Sequence, residues 1–133
     1  MPESKKRILI IDDELDICEV LKVKFQHHGY EVSVANEGHA GFELARREKP
    51  NFILLDVRIP KGQDGLTFLR QLRAFRHPDP AEQKLMRSIP VIVLTAAGDH
   101  MRPLFEAEGV SGYAEKPFDT EEIRQRVEKI LHF

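Results

Sequence analysis

The chain has 133 residues, of which 41% are hydrophobic and 32% are charged, and its formal net charge is −2. This size suits one compact domain with a hydrophobic core, so the composition excludes a disordered chain, and the near-zero charge offers no basic footprint for nucleic acid. The single cysteine, Cys18, excludes an internal disulfide, and no apolar run is long enough for a signal peptide or a membrane span, so we expect a cytoplasmic protein.

Short apolar runs alternate with amphipathic stretches along the whole chain, which predicts strands that alternate with helices around a parallel sheet. Three of the runs are apolar throughout, as expected for parallel strands that helices cover on both faces. The run at 31–34 alternates instead and fits an edge strand. The five predicted strands lie at residues 7–11, 31–34, 51–55, 90–94 and 110–114.

The helices between these strands are predicted from apolar residues at helical spacing and from capping residues. Asn36 and the pair Asp119-Thr120 are the expected N-terminal caps of the second and last helices, and Gly29 is the expected C-terminal cap of the first. The expected core-facing positions are Leu15, Cys18, Leu21 and Phe25 in the first helix, Ala40, Leu44 and Ala45 in the second, Leu66, Phe68, Leu69 and Leu72 in the third, and Ile123, Val127, Ile130 and Leu131 in the last.

Two stretches give a weaker helical pattern. Gly98 and Pro103 interrupt the region of the fourth helix, so we expect a short helix that begins near Pro103. Residues 74–88 form a long polar link before the fourth strand, and we expect a surface extension there rather than a new domain.

Five polar residues stand at or just beyond the carboxyl ends of four predicted strands, where an open α/β sheet forms its ligand site. Crowded carboxylates repel one another, which favours a hard cation such as Mg²⁺ or Mn²⁺. The acid that ends the third strand can act as a nucleophile toward a phosphoryl group, while the hydroxyl and the ammonium neutralise its oxygens. The five residues are Asp12, Asp13, Asp56, Thr95 and Lys116.

Four segments, in this order, resemble the receiver domain of response regulators in two-component phosphorelay systems. They are IIDDE at 10–14, LLDVRIP at 54–60, PVIVLTA at 90–96 and YAEKPF at 113–118. The resemblance covers the chain from Ile8 to about Leu131. It implies a flavodoxin-like, doubly wound α/β fold with a five-stranded parallel sheet of order 2-1-3-4-5 and five helices. We expect one domain over 1–133, with its core at about 7–131.

The resemblance also implies roles for the acidic residues. Asp56 would be the phosphoacceptor and Asp13 a direct Mg²⁺ ligand, with Asp12 holding the metal largely through water. The backbone carbonyl of Arg58 would complete the protein ligands. The Arg58 side chain departs from the family pattern, and we expect it to lean over the site entrance and slow or redirect attack by water.

The remaining implied roles concern the switch. Lys116 would pair with the phosphoryl group, and the bond between Lys116 and Pro117 would be cis. Thr95 would move toward the phosphoryl oxygen and draw in Tyr113, although Tyr113 could also be an ordinary half-buried aromatic residue. This movement would reshape the face made by the fourth helix, the fifth strand and the fifth helix, which could also form a homodimer.

The implied phosphodonor is a sensor histidine kinase or a histidine phosphotransfer protein, and the output is a downstream protein target or effector domain, with no direct binding of nucleic acid or membrane. The sequence leaves no room for an effector domain after Phe133, so we expect either a stand-alone receiver or one excised from a longer protein. Catalysis would be limited to its own phosphorylation and dephosphorylation.

Two alternatives remain open. The first is a receiver-like interaction domain that does not use phosphate. The second is a phosphohydrolase with an aspartate nucleophile, as in haloacid-dehalogenase-like enzymes, but these carry Asp-x-Asp after the first strand, where this chain has Asp12-Asp13-Glu14. Two further departures from the receiver pattern are the loop at 60–65, which is one residue longer than usual, and the segment 95–109, which is one residue shorter.

Overall fold

The structure is a computed structural model that describes residues 6–58, 64–96 and 100–131. Five strands form one parallel sheet of order β2-β1-β3-β4-β5, as predicted. The strands are β1 (Arg7–Ile11), β2 (Glu31–Ala35), β3 (Phe52–Asp56), β4 (Val91–Ala96) and β5 (Gly112–Lys116). The helices within the described residues are α1 (Leu15–His27), α2 (Gly38–Glu48), α3 (Gly65–Arg73), α4 (Pro80–Arg87), α5 (Arg102–Glu108) and α6 (Thr120–Ile130).

Helices cover both faces of the sheet, because successive side chains of each central strand point to opposite faces. β3 is buried at all five positions, of which the apolar residues 52–55 are buried as predicted and the fifth is Asp56. One face packs Leu9, Ile53 and Val93 against Phe68, Leu69 and Leu72 of α3, and the other packs Ile10, Leu54 and Ile92 against Leu21 and Phe25 of α1 and Ile123 and Val127 of α6. Across residues 6–58, 64–96 and 100–131, no helix combines the length and apolar character that a bilayer crossing requires.

The prediction of five helices was wrong by one, because the predicted link at 74–88 contains α4. The Asp79 side chain caps this helix by accepting a hydrogen bond from the Ala81 amide at 2.9 Å, and Pro80 occupies the first turn, where its missing N–H costs nothing. Met86 anchors the helix with 1% exposure. A single buried side chain in a polar stretch is too weak a pattern to predict a helix.

The short helix expected near Pro103 is α5, and Gly98 lies outside the described residues.

Three details of the predicted helices were wrong. Leu15 is 68% exposed, because it is the first residue of α1 and precedes the turns that carry the buried residues. Ala40 is also exposed, and the buried position beside it is Gly41, where a Cβ would lie 2.6 Å from Cδ1 of Ile11. Asn36 does not cap α2, which begins after Glu37 with no side-chain cap.

Other details were confirmed. Cys18 is buried on α1, and Gly29 has a φ of 89°, in the left-handed region expected after a helix. The Asp119 side chain caps α6 by accepting a hydrogen bond from the Glu121 amide at 2.8 Å. Ile130 and Leu131 are only partly buried, because they lie at the last turn of the chain's final helix.

Candidate functional site

The predicted site residues lie together at the carboxyl edge of the sheet. The parallel register pairs Asp56 with Leu94 and Lys116 with Ala96, so the ends of β3, β4 and β5 meet at one level. A cavity of about 250 Å³ opens there. It is lined by Asp13, Glu14, Asp56, Val57, Arg58, Ala96 and Lys116.

Three carboxylates converge at this edge. One oxygen from each of Asp12, Asp13 and Asp56 lies within 4.8 Å of the other two. Asp12 is fully buried and Asp56 is 5% exposed, whereas Asp13 is exposed to solvent. Burial and the neighbouring charge of Asp12 raise the pKa of Asp56 to about 7, so the cluster is repulsive when every acid is ionised. This crowded set of hard oxygen donors fits a divalent cation such as Mg²⁺.

Lys116 faces the carboxylates from the end of β5. Its Nζ lies 2.9 Å from Oε1 of Glu14, 3.2 Å from Oδ2 of Asp12 and 3.3 Å from Oδ2 of Asp56. Burial lowers the pKa of Lys116, but the pairing with Glu14, Asp12 and Asp56 outweighs it, so the pKa lies above the ordinary lysine value. The ammonium is therefore charged at every physiological pH. The peptide bond between Lys116 and Pro117 is cis, as the resemblance implies.

Asp56 is oriented by the backbone that follows it. The Arg58 amide donates a hydrogen bond to Oδ1 of Asp56 at 3.2 Å, which leaves Oδ2 directed toward Lys116. Arg58 is exposed and is one of the residues that line the cavity, and the reach of its side chain over the entrance stays a prediction. The metal-ligand role of the Arg58 carbonyl stays a prediction. The lengthened loop at 60–65 lies mostly outside the described residues.

The two predicted switch residues lie on neighbouring strands. Thr95 is 9% exposed, and its hydroxyl donates to the carbonyl oxygen of Ala96 at 3.2 Å. Tyr113 pairs with Val93 in the β4–β5 register, two positions before Thr95. The Tyr113 hydroxyl donates to the Arg102 carbonyl at 3.0 Å, and the Arg102 guanidinium lies 4.2 Å from the ring centroid. Tyr113 is therefore tied to the start of α5.

Sequence reasoning missed three residues that build the site. Glu14 makes the shortest contact with Lys116, and its position directly after the two aspartates was the available signal. Asn36 and Cys18 both donate to the Asp12 carbonyl, at 3.0 Å and 3.2 Å, and so hold the end of β1. No sequence signal marks these two roles, because both depend on the parallel pairing of β1 with β2 and on the start of α1.

Residues 8–128 match the family model of the response regulator receiver domain. The chain belongs to the response-regulator receiver family. Among curated proteins, this receiver is 37% identical over 127 residues to the alkaline phosphatase synthesis transcriptional regulatory protein PhoP of Bacillus subtilis, a match that covers 95% of the receiver and 48% of PhoP. The chain therefore spans about half the length of the curated relatives it matches, which are named as transcriptional regulators.

Solved receiver structures match the same fold. A putative response regulator from Chloroflexus aurantiacus superimposes with a TM-score of 0.82 at 30% identity, covering 98% of this receiver and 100% of that chain. The receiver domain of the sensor histidine kinase PA1611 from Pseudomonas aeruginosa gives a TM-score of 0.79 at 28% identity, covering 95% and 97% of the two chains. That domain carries a magnesium ion in its active-site cleft.

Proposed function

We propose that this receiver accepts a phosphoryl group on Asp56 from a sensor histidine kinase or a histidine phosphotransfer protein, and that the modification changes the surface it presents to a partner. One observation carries the proposal. The Asp56 carboxylate has one oxygen held by the Arg58 amide and the other 3.3 Å from the Lys116 ammonium, at the floor of a cavity whose acids can bind a cation.

In the proposed reaction, an oxygen of Asp56 attacks the phosphorus of the donor. A P–O bond forms as the P–N bond of a phosphohistidine breaks, and the leaving imidazole nitrogen takes up a proton. Lys116 pairs with the transferred oxygens, and the Thr95 hydroxyl donates to one of them. The product is an acyl phosphate, and water later hydrolyses it. The receiver catalyses only its own phosphorylation and dephosphorylation at Asp56.

Asp12, Asp13 and Asp56 would hold a Mg²⁺ or Mn²⁺ ion, with the Arg58 carbonyl as a further ligand. When bound, the cation supplies positive charge that offsets the repulsion among the carboxylates and the phosphoryl oxygens. Asp13 would bind it directly from the exposed side of the cluster, and the buried Asp12 largely through water. The PA1611 receiver, with magnesium in its cleft, supports this part of the proposal.

The switch is proposed to run from Thr95 to Tyr113. When Thr95 turns toward the phosphoryl group it leaves space beside β5, which Tyr113 can enter if its hydroxyl releases the Arg102 carbonyl. Because Arg102 begins α5, this step would reshape the face made by α5, β5 and α6. That face is the proposed docking surface for a downstream target, or for a second copy in a homodimer.

An apolar groove beside the site supports a protein phosphodonor. Ile17, Val20, Pro117 and Phe118 line it together with Lys116, so a partner seated there would also cover the mouth above Asp56. Val20 is 54% exposed, so its side chain is accessible to a partner in this groove. We therefore propose that the donor docks on this side of α1.

The setting of the receiver is also part of the proposal. We propose a cytoplasmic protein in which residues 1–133 form one receiver domain, either working alone or joined to an effector domain, as the doubled length of its curated relatives allows. We propose that the receiver itself contacts proteins rather than nucleic acid or membranes, since its formal charge is only −2.

The test is the intact mass of the protein after incubation with acetyl phosphate. The proposal predicts one added phosphoryl group that requires Mg²⁺ and is absent from the Asp56→Asn variant. An adduct that forms equally well in Asp56→Asn, or in excess chelator, would contradict the proposal. A matched Asp64→Asn variant controls for the loss of one acidic residue, because Asp64 caps α3 outside the carboxylate cluster.

The role proposed for the Arg58 side chain has its own test. Arg58 lines the cavity, and its side chain should hinder the water that attacks the acyl phosphate. The Arg58→Ala variant should therefore lose its phosphoryl group faster than the parent protein. An unchanged rate of dephosphorylation would show that the side chain has no such effect.

A further inference from the structure

The carboxylate nearest to Lys116 belongs to Glu14 and not to the aspartate cluster. The contact between Nζ and Oε1 of Glu14 is a hydrogen bond of 2.9 Å, whereas Asp12 and Asp56 lie at 3.2 Å and 3.3 Å. Glu14 is 56% exposed at its side chain, while Lys116 is only 16% exposed. The ammonium is therefore drawn toward the rim of the cavity by an acid that the proposed chemistry does not use.

Asp12 is the second acid that faces the ammonium. Its side chain is fully buried, and its Oδ2 lies 3.2 Å from Nζ of Lys116. The ammonium is therefore shared between buried carboxylates inside the site and the exposed Glu14 carboxylate at its rim, and the shortest of these contacts is the one with Glu14.

The backbone of Glu14 is fixed, so its side chain has a defined reach. The Glu14 amide donates to Oδ1 of Asp12 at 2.9 Å, and its carbonyl accepts from the Cys18 amide at 3.1 Å as α1 begins. The ion pair with Lys116 then joins the start of α1 to the end of β5, across 102 residues of sequence. Glu14 thus spans the mouth through which a phosphoryl group must reach Asp56.

We propose that Glu14 is a positioning residue that holds Lys116 at the rim of the site and must release it when Asp56 carries a phosphoryl group. The inference rests on the proposed phosphorylation of Asp56. A phosphoryl group carries more charge than a carboxylate and lies deeper in the cavity, so it takes over the ammonium. The free energy needed to break the ion pair between Glu14 and Lys116 therefore reduces the free energy gained on phosphorylation.

The test compares beryllofluoride affinity, at saturating Mg²⁺, among four proteins. Glu14→Gln keeps the size of the side chain and removes its charge, so its affinity should rise about two- to five-fold, the range expected for a single exposed ion pair. Glu14→Asp keeps the charge but shortens the reach, so it should behave like Glu14→Gln. Glu19→Gln removes one exposed charge from α1, five residues after Glu14, and should match the parent protein.

A second measurement needs no phosphoryl mimic. The side-chain NMR signal of Lys116 in the free protein should move in Glu14→Gln and Glu14→Asp and stay in place in Glu19→Gln. If the parent protein does not bind beryllofluoride at all, the proposed function fails, while the Lys116 signal still tests whether Glu14 holds the ammonium. An unmoved signal in Glu14→Gln, unchanged or weaker beryllofluoride binding by that variant, or a Glu14→Asp variant that equals the parent overturns the inference.

Discussion

The close approach of α3 to the end of β3 makes Gly65 a sensitive position for both stability and the site. A Cβ added there would overlap the carbonyl oxygen of Asp56 and lie 2.9 Å from that of Val57, and neither backbone group can move without moving the strand end. Overpacking of this kind costs about 1–3 kcal/mol. We therefore predict that Gly65→Ala lowers the free energy of unfolding by about 1–3 kcal/mol and the melting temperature by roughly 5–10 °C.

Circular dichroism melts measure this effect, and beryllofluoride binding measures the displacement of Asp56. The matched control is Gly41→Ala, where the new Cβ meets side-chain atoms of Ile11 rather than backbone carbonyls. Alanine also favours the helix there by up to about 1 kcal/mol. Gly41→Ala should therefore lose clearly less stability and keep beryllofluoride affinity. A Gly65→Ala variant that melts like the parent and binds beryllofluoride equally well would refute the packing argument.

Three further predictions concern stability and the charged site. The Arg73 guanidinium donates hydrogen bonds to four carbonyls at the ends of α4 and α5, and so ties α3 to both helices. Arg73→Met should therefore lower the free energy of unfolding by about 2–4 kcal/mol in urea, whereas Arg76→Met, at an exposed position, should change it little. Equal urea midpoints for the two variants would contradict this. Burial raises the pKa of Asp56 to about 7 from an unfolded value near 4. Between these pH values the folded state keeps a proton on Asp56 that the unfolded state loses. With a chelator present, the free energy of unfolding should therefore fall by about 1–3 kcal/mol as the pH rises from about 4 to 7, and Asp56→Asn should remove this pH dependence. If the pH dependence persists in that variant, another group causes it. Saturating Mg²⁺ should raise the melting temperature at pH 7, and Asp13→Asn should reduce this rise; an identical rise would place the cation elsewhere.

The sheet could be predicted from sequence because its signal is strong and local. Uninterrupted apolar runs such as 52–55 have few stable positions other than the centre of a parallel sheet, and the polar residues that follow them then fall at one edge. The convergence of Asp12, Asp56 and Lys116 follows from topology alone, so it survived small errors in the strand boundaries.

The details that sequence reasoning missed depend on tertiary contacts. α4 contributes one buried side chain, Met86, and its end is tied by hydrogen bonds from Arg87 to the Phe75 carbonyl at 2.7 Å and from Arg73 to the Arg87 carbonyl at 2.9 Å. None of these contacts leaves a periodic pattern in the sequence. Asn36 looked like a helix cap because of its place in the chain, yet its amide supports the end of β1 instead. Glu14 follows β1 and Lys116 ends β5, and the contact between them depends on the sheet order, in which only β3 and β4 lie between these two strands.

The measurement that tests the central claim most directly is the location of the phosphoryl group. Sodium borohydride reduces an aspartyl phosphate to homoserine, which peptide mass spectrometry can assign to one residue after treatment with acetyl phosphate and Mg²⁺. The account predicts homoserine at position 56 and nowhere else in the carboxylate cluster. Homoserine at Asp12 or Asp13, or a phosphoryl group that resists borohydride and remains on another type of side chain, would contradict it.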